Sequence, residues 1–286
     1  MKFNDNLLAI LVAMVWGGSF VAIKIGVEYF PPLLFSALRF ALAAFPLVFF
    51  LPPPNASWRV IFGIGFVLGV VKFSLLFVSM DVGLSAGLAS LLVQSQAFFT
   101  VILAAAMLRE QPSRSQNAGI LVAFLGVATV ATTVDANAPS QGIALILSAA
   151  LAWAASNILL RHAGSVSMLN LMVWASLVPP IPVFGLSLWL EGADVGWAAV
   201  TTINWHGALA LGYVTFVGTV LGFAGWGYLI ARYGAGRVAP FALLVPVFGM
   251  SLSAVVFGET FGPMRLFGAA LVLVGLALTI WRQPAG

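Results

Sequence analysis

Lys72 is the residue whose surroundings most restrict its chemistry, because it stands inside the unbroken apolar stretch Gly-Val-Val-Lys72-Phe-Ser-Leu-Leu-Phe77. If that stretch is a membrane-crossing helix, Lys72 lies about twelve residues from one end and about eight from the other, at roughly 1.5 Å per residue. An ammonium cannot comfortably snorkel to either surface from there, and a charge at that depth costs on the order of 3 kcal/mol or more. With no acidic residue at comparable depth in any stretch, Lys72 is read as the lone central charge, one that calls for a substrate carboxylate. The competing reading is a structural lysine bonded to helix-end carbonyls.

Other polar groups fall at similar depth. Gln94, Ser95 and Gln96 stand together, followed by Thr100. Two residues two positions apart point in different directions on a helix, so Gln94, which continues the face of Gly87, Ser90 and Leu91, is preferred over Gln96 as a cavity residue. Ser19 and Asn157 lie on the first and sixth helices, which the repeat relates, with Trp16 and Trp153 about one turn away. Their rings could hold an ammonium by cation–π attraction, or serve as packing and interfacial anchors. Pro246 removes a backbone donor and so frees the carbonyl of Ala242 for a ligand amine or water. Pro179, Pro180, Pro182 and Pro240 supply further kinks. The pairs Gly65/Gly69 and Gly83/Gly87 have the spacing of close helix contacts.

Several chemistries are excluded. There is no cysteine, hence no disulfide or thiolate metal site. No phosphate-cradling G-x-x-x-x-G-K-[ST] loop is present, and His162 and His206 lack a nearby metal-spaced cluster. No cofactor and no enzymatic role are expected. The 12 basic residues are scattered singly, which argues against a nucleic-acid partner.

The elements that must position these groups follow from composition. Of 286 residues, 62% are hydrophobic and 7% charged, against about 25% charged in an ordinary globular domain; the solvent is a lipid bilayer. At about 20 residues per crossing, apolar windows predict ten helices, near 6–27, 33–51, 60–80, 84–108, 117–134, 141–161, 168–190, 206–230, 236–257 and 265–281. The first carries Trp16, Ser19 and Lys24 and no small-residue cleavage site, so it is read as retained. With a cytoplasmic N-terminus, Lys2, Arg59, Arg109, Arg114, Arg161, Arg232, Arg237 and Arg282 face inward, and only Lys24 and Arg265 face outward. That is a positive-inside bias. Glu28, Asp81, Asp135, Glu191, Asp194 and Glu259 sort outward.

The two halves repeat. Trp16-Gly-Gly-Ser19 with Lys24 matches Trp153-Ala-Ala-Ser156 with Arg161, and a constant offset pairs Ala86-Gly87 with Ala235-Gly236, Glu110 with Glu259, Gly119 with Gly268 and Gly126 with Gly275. Five helices per half is an odd number, so the second half inserts upside down. The predicted fold is an all-α integral membrane protein, two inverted five-helix repeats (1–135 and 136–286) around a central cavity. Inverted repeats are a secondary-transporter architecture.

The stretches LLAILVAMVWGGSFVAIKIGVEYFPPLLFSALRFALAAFP, AGLASLLVQSQAFFTVILAAAMLRE, LAWAASNILLRHAG and RVAPFALLVPVFGMSLSAVVFGE resemble the drug/metabolite transporter superfamily, and within it the EamA family. The likeness covers nearly the whole chain and is strongest to bacterial cysteine/O-acetylserine exporters and YddG-type amino-acid exporters. Lys72 departs from the neutral glutamine of the cysteine exporters, so kinship does not name the substrate. The resemblance implies a ten-helix exporter with cytoplasmic termini in the inner membrane. Cationic-drug pumps of the superfamily use an embedded carboxylate, and the first helix has none between Asp5 and Glu28. A small-molecule substrate, foremost amino acids, is expected, with Lys72, Gln94, Trp16, Ser19, Trp153, Asn157 and Pro246 as candidate binding residues. Other small anionic or neutral metabolites (organic acids, nucleobases, sugars) or a channel are the alternatives. Proton coupling through Lys72 or His206 and uniport are both open, as are monomer and weak homodimer.

Overall fold

The computed structural model describes residues 1–133, 140–164 and 166–280. In chain order its long helical segments are α1 (Phe3–Gly26), α2 (Pro32–Phe49), α3 (Trp58–Asp81), α4 (Ala86–Leu108), α5 (Arg114–Thr132) and α6 (Ser140–Arg161). There follow α7 (Met168–Ala175 and Pro180–Leu190), α8 (Trp205–Tyr233), α9 (Ala239–Phe257) and α10 (Pro263–Ile280). No strand occurs among the described residues. Eight of these segments are long and apolar enough to cross a membrane alone; α7 is a pair bent by 42° and α10 is shorter. The predicted count of ten therefore depends on reading the broken pair as one crossing and α10 as another. Asp135, Arg282 and the proposed boundary at 135/136 lie outside the described residues.

Local sequence explains where the helices begin and end. The side chains of Ser57, Ser85, Ser113, Ser167 and Asn204 cap the first turns of α3, α4, α5, α7 and α8, accepting backbone N–H groups three residues on, the role short polar side chains play at helix starts. Left-handed residues close α4 and α9, Arg109 (φ 56°) and Gly258 (φ 66°). Pro179 and Pro180 stand at the break in α7, where a missing N–H interrupts the ladder. The sequence had not predicted the short helix Ala193–Thr201 between α7 and α8.

The outer surface is apolar: Leu121, Trp189 and Val255 are 66%, 79% and 82% exposed, placements that make sense only against lipid. Within, close helix contacts are built on glycine. A β-carbon at Gly119 would lie 2.6 Å from the Gly275 carbonyl oxygen, and one at Gly126 2.7 Å from that of Gly268. These four glycines are the ones the repeat offset pairs, and they meet crosswise between α5 and α10. Gly65 and Gly69 pack α3 against α7, at Ala175 and Pro179. Gly83, by contrast, is a turn residue (φ 107°), so the Gly83/Gly87 spacing is not a helix face; Gly87 lies instead against Phe261 and Glu259.

Two helices widen midway. Gly65–Lys72 of α3 and Tyr213–Leu221 of α8 are π-helical, a winding found mostly as short interruptions at functional positions. The offset that relates Glu110 to Glu259 also relates these two stretches.

Candidate functional site

A cavity of about 690 Å3 opens between the helices, lined by residues of α1, α2, α3, α4, α6, α7, α8 and α9. That volume is in the range of small-molecule sites, about 300–1,000 Å3. Lys72 sits at the end of the π-helical turn of α3, lines the cavity and is 4% exposed. Its ammonium lies 3.3 Å from the centre of the Phe73 ring and 4.5 Å from that of Trp153. Arg39 of α2 enters the same cavity, also 4% exposed, with its guanidinium carbon 3.9 Å from the Phe73 ring centre. Thr219, on the widened turn of α8, accepts from Arg39 Nε at 3.2 Å and Nη2 at 2.9 Å, and passes its own proton to the Val214 carbonyl five residues earlier. Nη1 of Arg39 is buried without a partner. Neither cation has a carboxylate: the ion pairs among the described residues are Arg161 with Glu110 and Arg232 with Asp5.

The same cavity holds an amide cluster, with Asn157 one turn along α6 from Trp153. Asn157 Nδ2 donates to Gln96 Oε1 at 2.8 Å and to Thr100 Oγ1 at 3.1 Å, and Gln94 Nε2 donates to the Ala242 carbonyl at 3.2 Å. Gln94 and Gln96 both line the cavity, where the α-helical spacing leads to a preference for Gln94. The reason is a 3-10 turn at Val93–Ser95 inside α4: with about three residues per turn, positions two apart lie closer in direction than on an α-helix. The carbonyl that Pro246 frees already accepts from Gln94, so it offers a ligand at most its second lone pair. Pro246 itself is buried in the packing of α9, and the cavity meets its neighbours Ala242 and Val245.

The two tryptophans differ in use. Trp153 spends its ring face on the protein's own Lys72. Trp16 packs against Phe223 and Trp226, with ring centres 5.4 and 5.1 Å away, and its Nε1 donates to the Gly218 carbonyl at 3.0 Å. Ser19 lines the cavity with its hydroxyl turned back to the Val15 carbonyl. Trp16→Phe should therefore destabilise the protein by about 1–2 kcal/mol, a buried acceptor losing its donor, whereas Trp153→Phe keeps a ring and no hydrogen bond is lost. Thermal unfolding in detergent checks this; an equal effect of the two changes would refute it.

One end of the bundle is open and the other closed. The cavity and a second one of about 350 Å3, which share Gln94, Gln96, Asn157, Trp226 and Ala242, run to Glu110, Arg161, Gly164 and Ala231 at the end that carries most of the arginines. At the opposite end three contacts tie helix ends together. Lys24 Nζ donates to the Met80 carbonyl at 2.8 Å, the Glu191 carboxylate accepts from the amides of Leu33 and Leu34, and Glu259 accepts from the Ala86 amide.

The comparison with known proteins falls on this frame. The EamA-like transporter family matches residues 5–132 and 140–281. The chain belongs to the EamA-like transporter family. It is similar to a "Probable amino-acid metabolite efflux pump" of Salmonella typhimurium, 41% identical over 98% of this chain and 96% of that one. A protein of the same description from Escherichia coli is 37% identical over 99% and 98%. A "Probable terminal-alkyne amino-acid exporter" of Streptantibioticus cattleyicolor is 26% identical over 97% and 94%. A solved crystal structure superposes with a TM-score of 0.61 at 16% identity, covering 97% of this chain and 96% of that one, a likeness of fold. This EamA-like chain is a multi-pass membrane transporter and not an enzyme.

For an EamA-like protein, the residue missed by sequence reading is Arg39. Lys72 is not the lone central charge, because α2 runs from Pro32 to Phe49 and places Arg39 midway. The signal was available: an arginine inside an apolar run, absent from both the inward and the outward set of loop charges. His206, considered for coupling, stacks on Tyr29 and lies against Trp205, away from the cavity lining. Among the described residues no group of three or more His, Cys, Asp or Glu could hold a metal ion.

Proposed function

We propose that this protein is a secondary transporter that exports small carboxylate-bearing metabolites, amino acids foremost, across the inner membrane by alternating access. The observation that carries the reading is the pair Lys72 and Arg39, two buried cations that both contact the Phe73 ring in a cavity with no acid in its lining to neutralise them. Charges so deep are costly unless paired, and a substrate carboxylate is the partner of matching sign and shape; guanidinium takes it bidentately. In the same cavity, Gln94 and Asn157 have their amide nitrogens engaged within the protein, which leaves their side-chain oxygens as acceptors for an ammonium. A zwitterion meets donors at one end and acceptors at the other. The efflux relatives in Salmonella and Escherichia support the amino-acid assignment.

The inverted repeat supports alternating access. Its halves, 1–135 and 136–286, each contribute a widened third helix and a left-handed residue followed by glutamate, Arg109-Glu110 and Gly258-Glu259. The arginine-rich end is the cytoplasmic one by the positive-inside rule, with both termini there, so the conformation is open to the cytoplasm.

The test is counterflow in proteoliposomes loaded with alanine, serine, aspartate or succinate, against ethanolamine as the decarboxylated counterpart of serine. Exchange of serine without exchange of ethanolamine is expected. Equal exchange of both would overturn the carboxylate reading, and imposing a pH gradient in the same assay separates proton-linked export from uniport.

A further inference from the structure

The closed and open ends of the bundle use the same two repeat positions in different ways. At the closed end, Lys24 of α1 donates to the Met80 carbonyl at the end of α3, and Glu259 after α9 accepts from the Ala86 amide at the start of α4. The second carboxylate oxygen of Glu259 is buried, and a β-carbon at Gly87 would lie 2.9 Å from it, so the glutamate is pressed into the helix start. Both residues thus bind backbone, and between them they tie four helix ends, α1 to α3 and α9 to α4. The repeat partner of Lys24 is Arg161 and that of Glu259 is Glu110. At the open end these two do not reach backbone; they form an ion pair with each other, 43% and 52% exposed. Arg109 adopts the same left-handed turn before Glu110 that Gly258 adopts before Glu259, so the chain aims both glutamates alike. What differs is only which partner is within reach.

We propose that Lys24, Glu259, Arg161 and Glu110 are positioning residues that exchange partners during transport. At whichever end is closed, the basic residue clamps the end of the third helix of its own repeat and the glutamate clamps a helix start in the other repeat. At whichever end is open, the two release backbone and neutralise each other. In the cytoplasm-closed state the repeat offset carries the Met80 carbonyl to that of Leu229 and the Ala86 amide to that of Ala235, which become the partners of Arg161 and Glu110. The exchange gives each charged group a hydrogen-bonding partner in both states, backbone when its end is closed and the other side chain when it is open. The inference rests on the alternating-access reading but not on the identity of the cargo.

The absence of cysteine makes the test direct, since introduced thiols are the only ones. Ser253→Cys reports the closed end, where Ser253 is buried and accepts from the Gly87 amide; Ala231→Cys reports the cytoplasmic mouth. Labelling rates with an impermeant maleimide are measured from each side without substrate. Glu259→Gln turns a charge-assisted clamp into a neutral one, about half as strong, and should speed labelling at Ser253→Cys about fivefold while slowing it at Ala231→Cys. Glu110→Gln weakens a half-exposed pair worth little in the present state but a backbone clamp in the opposite one, and should shift both rates the other way. Lys24→Gln should act as Glu259→Gln, and Arg161→Gln as Glu110→Gln, so the test survives misfolding of either glutamate variant. Shifts of the same sign at Glu110 and Glu259, or no shift at either, overturn the proposal. Normal labelling shifts with no counterflow of any carboxylate would instead overturn the cargo assignment alone.

Discussion

Lys72→Gln should raise the KM for alanine counterflow about tenfold to a hundredfold, while leaving the melting temperature of the protein unchanged or higher. The two effects separate because of what Lys72 touches. Its ammonium meets the rings of Phe73 and Trp153, and no carboxylate offsets its burial, so removing the charge gives up two cation–π contacts but relieves the larger cost of a bare buried charge and its repulsion from Arg39. A carboxylate cargo, by contrast, loses a charge-assisted bond of about 1.5–3 kcal/mol, which is the stated range of affinity. Arg39→Gln should weaken counterflow by a similar factor but also lower the melting temperature, since it abandons the two hydrogen bonds to Thr219. The control is the cargo: alaninamide, which lacks the carboxylate, should bind wild type and Lys72→Gln alike. An unchanged KM for alanine in Lys72→Gln would remove Lys72 from the site.

Gly126→Leu, at the buried crossing of α5 and α10, should destabilise the protein by about 3 kcal/mol or more, on the order of 10 °C in melting temperature. Even the β-carbon would lie 2.7 Å from the Gly268 carbonyl oxygen and 2.7 Å from the Val272 nitrogen. Both are backbone atoms on α10 and cannot step aside as a side chain end would. The helices must part, and the contact between α5 and α10 is what small residues exist to allow. Gly185→Leu is the matched control, because nothing lies within 4 Å of a β-carbon there; it should cost only a few tenths of a kcal/mol to about 1 in either direction. Comparable losses for both changes, read by thermal unfolding in detergent, would show that the crossing is not tightly packed.

How much was legible in the sequence depended on whether a property is local. Span positions were, because about 20 apolar residues are a local requirement of the bilayer; α3, predicted near 60–80, runs Trp58–Asp81. The Glu110/Glu259 and Gly119/Gly268 pairings could be seen as a repeat, but not what they contact. That Gly119 meets Gly275 rather than Gly268 follows from the crosswise packing of two helices far apart in the chain.

The sequence by itself determined that this is an all-helical membrane protein, where its spans lie and that Lys72 is buried without an acid in its own stretch. Tertiary structure alone decided that Arg39 joins Lys72 over one Phe73 ring, that Gln94 donates to the carbonyl freed by Pro246, and that both Gln94 and Gln96 reach the cavity. The physical reason is the range of the forces concerned. Transfer into lipid is set residue by residue along the chain, whereas a binding site is a coincidence of depth and facing among helices, set by the rotation of each helix in its packing and by the π and 3-10 turns that adjust it.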